Sequence, residues 1–419
     1  MKKVYLITKN FPYGNEEKAF LEPEFLRLKR KFNIDIIVTE EDSGLSKIEN
    51  KEVNLIHISE RRSIFEKIIS LSRFLMEKDC CVELKNIIKS GKYIGKRFWR
   101  ALMFGSCAET FYRRFRKKTG INKDTEAIIY FYWFDYKCFG LTMHKKEYPN
   151  IKIISRTHGY DLYDMREKYG KQFFKEQMDR ELNRLVFAAD YAKQYYLKRY
   201  QKKDGKKYPL HRLGVCDKGI TEKMKKEQYT PDTFLILSCS HTISIKRVEL
   251  IIEGLSLVKN ENIQWVHIGD GKGFSKIQCL ADQKLRDKDN VVFTLLGAVP
   301  NEKVIQYYRD HYVGAFITTT STEGGSPVSV QEALSFGVPV IATAVGELPV
   351  MVQDNGVLLP ENPTAQEVAE GILRMREVYG TDIYFKMCDR SLEIFHDKFD
   401  ADKNYEAMAE ELLLLANEK

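Results

Sequence analysis

The chain is expected to be an α/β protein built on two doubly wound parallel sheets. Short β-branched runs alternate with stretches of helical periodicity along its whole length. At 419 residues it exceeds what one ordinary core organises, so two domains are expected. A polar stretch at 214–232, GVCDKGITEKMKKEQYTPD, has no sustained apolar periodicity and reads as the linker.

In order, the first half offers strands at 4–8, 34–38, 53–56, 127–132, 151–155, 184–187 and 210–213. The opening apolar run stops at Lys9 and Pro12, too soon for a signal peptide, and reads as the first strand. Residues 61–118 carry helical spacing, with Ile64, Ile68, Leu71, Phe74 and Leu75 on recurring positions. The second half reads as strands at 234–238, 264–268, 291–295, 313–318, 339–343 and 357–359, with helical periodicity between them, as at 248–258 and 304–308. From about residue 397 a long helix runs to LLLLANEK. The expected domains are therefore 1–220 with a basic helical insert at 61–118, then 221–396, then a tail helix at 397–419 that packs back on the first domain.

A composition of 43% hydrophobic and 30% charged residues fits a globular protein. No apolar run approaches the roughly 18 residues of a membrane-spanning helix, and a cytoplasmic location is expected. The eight cysteines are scattered without metal-ligand spacing and read as free thiols. The net charge of +8 is concentrated at 61–118, where Lys and Arg interleave with Phe74, Phe98, Trp99 and Phe104. Such a surface suits anionic lipid headgroups at the inner face of a membrane. The alternatives are a solvated helical cover for the sheet and, without any accompanying motif, nucleic acid.

The most informative stretch is STEGGSPVSVQEALSFGVPVIAT at 321–343. A β-branched run ends at Thr320. A glycine-containing loop with Glu323 follows, then Pro327 at the first helical position and a helix carrying Glu332. The helix closes at Gly337 and a buried strand begins at once. A helix start at the mouth of a parallel sheet turns unpaired N–H groups toward a ligand and attracts phosphate. The backbone of Ser329 and Val330 is placed to donate, and two carboxylates bracket the site, suited to hydroxyls of a sugar or ribose. An ordinary βαβ unit with solvated glutamates is the alternative.

These residues sit inside a longer series: SIKRVELIIEGL at 244–255, WVHIGDG at 265–271, LLGAVPNEKVIQYY at 295–308, EGGSPVSVQEALSFGVPVIAT at 323–343 and NGVLL at 355–359. Their order and spacing resemble the donor-binding domain of the retaining glycosyltransferases of family 4. The first half adds HGYDLY at 158–163 and RLGV at 212–215, similar to the acceptor domain of that family. The resemblance implies a GT-B architecture, two Rossmann-like doubly wound parallel-sheet domains facing across a cleft. It implies that Lys246 contacts the diphosphate, Glu332 the ribose hydroxyls, Glu323 the donor sugar, and His158 the same sugar from the first domain. It places Gly14, His241, Gly269, Gly297, Gly324, Gly325, Ser326, Pro327, Val328, Ser329 and Val330 around the donor. Read alone, Gly269–Asp270–Gly271 is a tight strand–helix turn. Asp161 could orient a neighbouring donor or bind acceptor, and Arg212 could be an ion-pair partner or a ligand.

Three departures stand out. The position five residues before Lys246, often Arg in the family, is His241. Eight residues rather than seven separate Glu323 from Glu332. Glu347 follows Gly346 where the family usually has a second glycine. No residue pattern supports a metal: the DxD string Asp400–Ala401–Asp402 begins the tail helix and reads as capping.

The reaction implied is metal-independent transfer of a sugar, with retention, from a nucleotide diphosphate sugar to a hydroxyl. UDP is the favoured base carrier, no cofactor is expected, and the acceptor is expected to be a glycan or lipid-linked glycan of bacterial surface polysaccharide synthesis. The competing readings are a sugar-nucleotide epimerase or phosphorylase of the same fold, and a nonenzymatic sugar-nucleotide-binding subunit of a transferase complex.

Overall fold

In the computed structural model, which describes residues 1–13, 15–40, 53–231 and 234–418, the apolar runs pair into two six-stranded parallel sheets. The first half contributes β1 (Lys3–Thr8), α1 (Asn15–Lys31), β2 (Asn33–Val38), β3 (Asn54–His57), α2 (Ile64–Leu75), α3 (Lys78–Ser90), α4 (Ile94–Thr119) and β4 (Ala127–Phe131). It continues with α5 (Tyr136–Met143), β5 (Ile151–Thr157), α6 (Gly159–Leu162), α7 (Lys175–Glu181), β6 (Arg184–Phe187) and α8 (Asp190–Arg199). Its strand order is β3-β2-β1-β4-β5-β6. Both faces are covered, as parallel sheets require. Tyr5 and Ile7 enter the core under α2, α4 and α5. Val4 and Leu6 point the other way, into a core that α1 shares with Met408, Leu412 and Leu415.

The second half contains α9 (Glu222–Glu227), β7 (Phe234–Cys239), α10 (Val248–Leu257), β8 (Ile263–Ile268), α11 (Phe274–Leu285), β9 (Val291–Gly297), α12 (Asn301–Asp310) and β10 (Ala315–Thr318). Then come α13 (Val328–Ser335), β11 (Val340–Thr343), α14 (Leu348–Met351), β12 (Gly356–Leu359), α15 (Ala365–Val378), α16 (Asp382–Lys398) and α17 (Ala401–Asn417). The strand order, β12-β11-β10-β7-β8-β9, repeats the first sheet's topology. Ile236 and Trp265 pack under α10 and α15, while Leu235, Leu237 and Val266 face α13 and α16.

The chain divides into Met1–Arg212 with Lys403–Lys419, and Leu213–Asp402. The division thus falls before the expected 220/221 and after the expected 396/397. Val215 N–H donates to Phe399 O at 3.0 Å and Ala401 N–H to Val215 O at 3.1 Å, drawing both connecting segments into the second unit. The stretch read as a linker is likewise tied down: α9 is capped by Thr221 and sets the buried Lys225 ammonium 4.2 Å from the Tyr312 ring centroid. From Lys403 onward α17 belongs to the first unit, where Arg184 Nε meets Glu411 at 2.8 Å.

Two expectations are corrected. The strand at 210–213 shrinks to a single bridge between Leu210 and Phe187. Pro209 sits beside it and has no N–H to continue a ladder. Pro327 is the N-cap of α13, not its first helical residue. The basic insert is three helices, broken at Glu77, which precedes α3, and at Gly91, which takes a left-handed conformation after it.

Candidate functional site

In both sheets the strand order reverses beside the first strand, between β1 and β4 and between β7 and β10. Open parallel sheets bind ligands outside the carboxyl ends of their strands at such a point. The sequence places its candidates there: Gly14 follows β1, His158 follows β5, His241 and Lys246 follow β7, and Glu323 and the 324–330 loop follow β10. Gly14 lies outside the described residues.

In the second unit Lys246 ends a short 3-10 turn, and its Nζ lies 2.7 Å from Glu323 Oε2. The two loops that carry them are stitched together. Ser321 N–H donates to Ile245 O at 2.7 Å, and Thr320 Oγ1 to the same carbonyl at 3.0 Å. Arg247, in a left-handed conformation, spends its guanidinium on Thr319 O at 2.7 Å and Thr320 O at 2.9 Å. Gly346 presses from the far side. At φ +58° an added Cβ would lie 1.8 Å from Glu323 O, so only glycine lets that backbone approach the loop.

The helix that follows is short but well anchored. Gln331 Nε2 holds Ser326 through its carbonyl at 3.1 Å and its hydroxyl at 3.0 Å. The N–H groups of Val330 and Gln331 turn back to Pro327 O, at 3.2 and 3.1 Å. Of the two donors anticipated from sequence, Val330 is therefore already bonded. Val328 and Ser329 are the first-turn residues whose N–H groups meet no acceptor among the described residues. Glu332, one turn on, is buried, and its Oε1 accepts from Asn301 Nδ2 at 2.6 Å. Burial raises its carboxyl pKa, against the bond from Asn301 and the charge of Lys218. Asn301 opens α12, 31 residues earlier, and no local pattern announces that contact.

Gly269 follows β8 and Gly297 ends the neighbouring β9, and Gly269 N–H ties them by donating to Gly297 O at 2.8 Å. His241 is exposed, with Nδ1 3.4 Å from Asp270 O. Glu347 is buried at the start of α14. His267, in β8, is a core residue: its Nδ1 lies 2.9 Å from Ser238 Oγ, and burial lowers its pKa to about 4.

In the first unit His158 precedes α6, and Trp133 packs against it with ring centroids 4.3 Å apart. Burial, reinforced by the Arg156 charge, lowers its pKa to about 3, so the ring is neutral. Its Nε2 lies 3.0 Å from Tyr132 O, and a carbonyl can only accept, so Nε2 carries the proton and Nδ1 the lone pair. Asp161 is spent on the backbone, accepting from His158 N–H at 2.7 Å and Phe134 N–H at 2.8 Å. Burial raises its pKa to about 7. Sequence reasoning missed Glu17, a buried carboxylate on α1. It accepts from the N–H groups of Asn10 and Phe11, each at 2.7 Å, and from the indole of Trp133. It thereby couples the loop after β1 to the aromatic wall beside His158.

Among the described residues no three His, Cys, Asp or Glu side chains are grouped to hold a metal ion. Asp400 instead accepts from Asp402 N–H at 2.8 Å, capping α17.

The architecture is thus α/β, two Rossmann-like parallel-sheet domains of the GT-B type, with charged and helix-end groups gathered after β7 and β10. Residues 219–379 match the family model described as glycosyl transferases group 1. The chain is 25% identical over 179 residues to the amylovoran biosynthesis glycosyltransferase AmsK of Erwinia amylovora, covering 41% of this chain and 42% of that one. It is 32% identical over 147 residues to the putative teichuronic acid biosynthesis glycosyltransferase TuaC of Bacillus subtilis strain 168, covering 34% and 33%. These matches span between a third and a half of the relatives' length. Among solved structures, a glycosyltransferase from Rickettsia africae superposes with a TM-score of 0.67 at 16% identity, covering 100% of this chain and 99% of that one. Anabaena Alr3699/HepE, in complex with UDP and glucose, gives 0.64 at 11% identity, covering 99% and 100%. At these identities the structural likeness establishes the fold.

Proposed function

We propose that this protein is a retaining, metal-independent glycosyltransferase. It moves a sugar from a nucleotide diphosphate sugar to a hydroxyl of a glycan or lipid-linked glycan in bacterial surface polysaccharide synthesis. The observation that carries the reading is the cluster in the second unit. Lys246 and the unbonded N–H groups of Val328 and Ser329 meet the diphosphate, where negative charge grows as the leaving group departs. Glu332, oriented by Asn301, holds the ribose hydroxyls, and Glu323 turns from Lys246 to the donor sugar when the phosphates arrive. The acceptor attacks the donor's front face, and the departing diphosphate takes up its proton; the protein positions and stabilises charge. UDP is the preferred carrier, a choice supported by the UDP in the Anabaena protein of the same fold. The protein works at the inner face of the membrane, where a lipid-linked acceptor is presented.

A thermal-shift screen against UDP, GDP, ADP and their sugars tests the reading, since a ligand of the native state raises its apparent stability. The selected donor should then be consumed only when acceptor is added, with full turnover in excess EDTA and retained anomeric configuration. Binding without transfer would instead favour the nonenzymatic subunit. Loss of turnover in EDTA, restored by magnesium or manganese, would overturn the metal-free mechanism.

A further inference from the structure

In the second unit a pocket of about 230 Å³ lies between α9 and the C-terminal ends of α12 and α13. The groups proposed to hold the donor sit at the other ends of the same two helices, Asn301 opening α12 and Val328 opening α13. The pocket is therefore separate from the nucleotide site. Its walls carry Lys218, Lys225, Arg309 and His311 and no carboxylate. Lys225 is only 5% exposed. An ammonium is a donor only, yet this one meets no hydrogen-bond acceptor and no carboxylate among the described residues, resting instead on the face of Tyr312.

Burying a charge without a partner is costly. Burial accordingly pulls the Lys225 pKa down, opposed by the neighbouring Cys388 thiol. Lys218 and Arg309 make no ion pair among the described residues either. The helix ends do not use these cations as caps. In α13, Ala333 O already accepts from Val338 N–H at 3.0 Å and Leu334 O from Gly337 N–H at 2.9 Å, and in α12 Tyr307 O accepts from His311 N–H at 3.1 Å. Size and chemistry together define an occupant. The pocket is smaller than the roughly 300–1,000 Å³ of sites for drug-sized ligands, too small for a nucleoside diphosphate. Several cations without a counter-charge select an oxyanion with more than one negative charge, and the apolar walls, Ile220, Met224 and Val313, suit a short carbon chain attached to it.

We propose that this pocket is a second anion site, which takes a phosphate group, free or as the monoester of a small metabolite, on the Lys225 ammonium, with Lys218 and Arg309 completing the charge. The inference goes beyond the transferase reading and does not rest on it, since its test uses no sugar nucleotide.

Inorganic phosphate and glycerol 3-phosphate are titrated calorimetrically into the full chain, with chloride holding the ionic strength constant. Saturable binding is expected, and it should persist in Lys246→Ala, which removes the cation proposed for the donor diphosphate and so separates the two sites. Lys225→Met keeps the unbranched side chain and removes the charge. It should weaken phosphate by at least about tenfold, with Tm unchanged or higher because an unpaired buried charge is gone. Lys218 and Arg309 are not buried, so Lys218→Gln with Arg309→Gln should keep the circular dichroism of the wild type and weaken phosphate about fivefold. Tighter binding of glycerol 3-phosphate than of phosphate assigns the site to a monoester; equal or weaker binding assigns it to free phosphate. The proposal is overturned if Lys246→Ala shows no saturable binding, or if a folded Lys225→Met binds phosphate like the wild type. Wild-type affinity in the Lys218→Gln, Arg309→Gln variant overturns it as well, whether or not Lys225→Met folds, and leaves Lys225 a packing residue.

Discussion

The pairing of Asn301 with Glu332 yields a quantitative test of the donor site. One oxygen of the buried Glu332 carboxylate is occupied by the Asn301 amide at 2.6 Å, and the other carries the proposed bond to a ribose hydroxyl. A hydrogen bond to a charged group contributes about 1.5–3 kcal/mol. Glu332→Ala should therefore weaken the nucleoside diphosphate by about 10- to 150-fold. Folding stability should change by only about 1 kcal/mol, because losing the bond from Asn301 is offset by no longer burying a carboxylate. Asn301→Ala acts through Glu332 and should weaken binding less. In combination it should add almost nothing to Glu332→Ala, since residues in one network are not additive. Isothermal titration calorimetry with UDP, or with the nucleotide that the thermal-shift screen selects, measures all four corners of this cycle. A Glu332→Ala affinity within about twofold of wild type, or strictly additive losses, would refute the assignment.

Lys246→Ala should nearly abolish transfer while leaving the circular dichroism intact, because it removes the cation proposed for the diphosphate; wild-type donor affinity would exclude it from the site. Gly346→Ala forces a Cβ toward Glu323 O at φ +58°, so Tm and donor affinity should fall together, the left-handed backbone alone costing about 1–2 kcal/mol. His267 gives a pH signature in the second unit. Burial lowers its folded pKa to about 4 from an ordinary 6.5, so its contribution is fully present above pH 6.5 and is lost as pH falls toward 4. The full span is on the order of 3 kcal/mol. Denaturant unfolding of His267→Gln across that window should show a visibly flatter decline than wild type.

The second sheet was legible because its strands include continuous, predominantly apolar runs buried on both faces, as at Phe234–Cys239 and Val340–Thr343. The helix bearing Glu332 was legible for a related reason, since Pro327 and Gly337 punctuate it locally. Three features were not legible. Pro209 interrupts a ladder that its apolar neighbours suggest. Lys225 looks solvated in sequence, yet its stem is buried and its ammonium rests on Tyr312. Asn301, Arg247 and Glu17 act through partners 31, 72 and 116 residues away, at Glu332, Thr319 and Trp133. Such contacts are set by tertiary closure and leave no periodicity. Helix α2 shows the converse: its apolar spacing was plain, yet Phe74 is buried while Ile64 and Ile68 are exposed, because spacing alone does not say which side of a helix is covered.

The return of α17 to the first unit sets an order of events at the ribosome. One wall of the core under β1 and β2 is made by Met408, Ala409, Leu412 and Leu415. Those side chains emerge only after the whole of Leu213–Asp402 has been synthesised. The second unit is one uninterrupted segment and can close as it appears. The first must wait with α1 alone over Val4, Leu6 and Ile36 and the α17 wall of their core missing, so the half of the protein translated earlier is the half completed last.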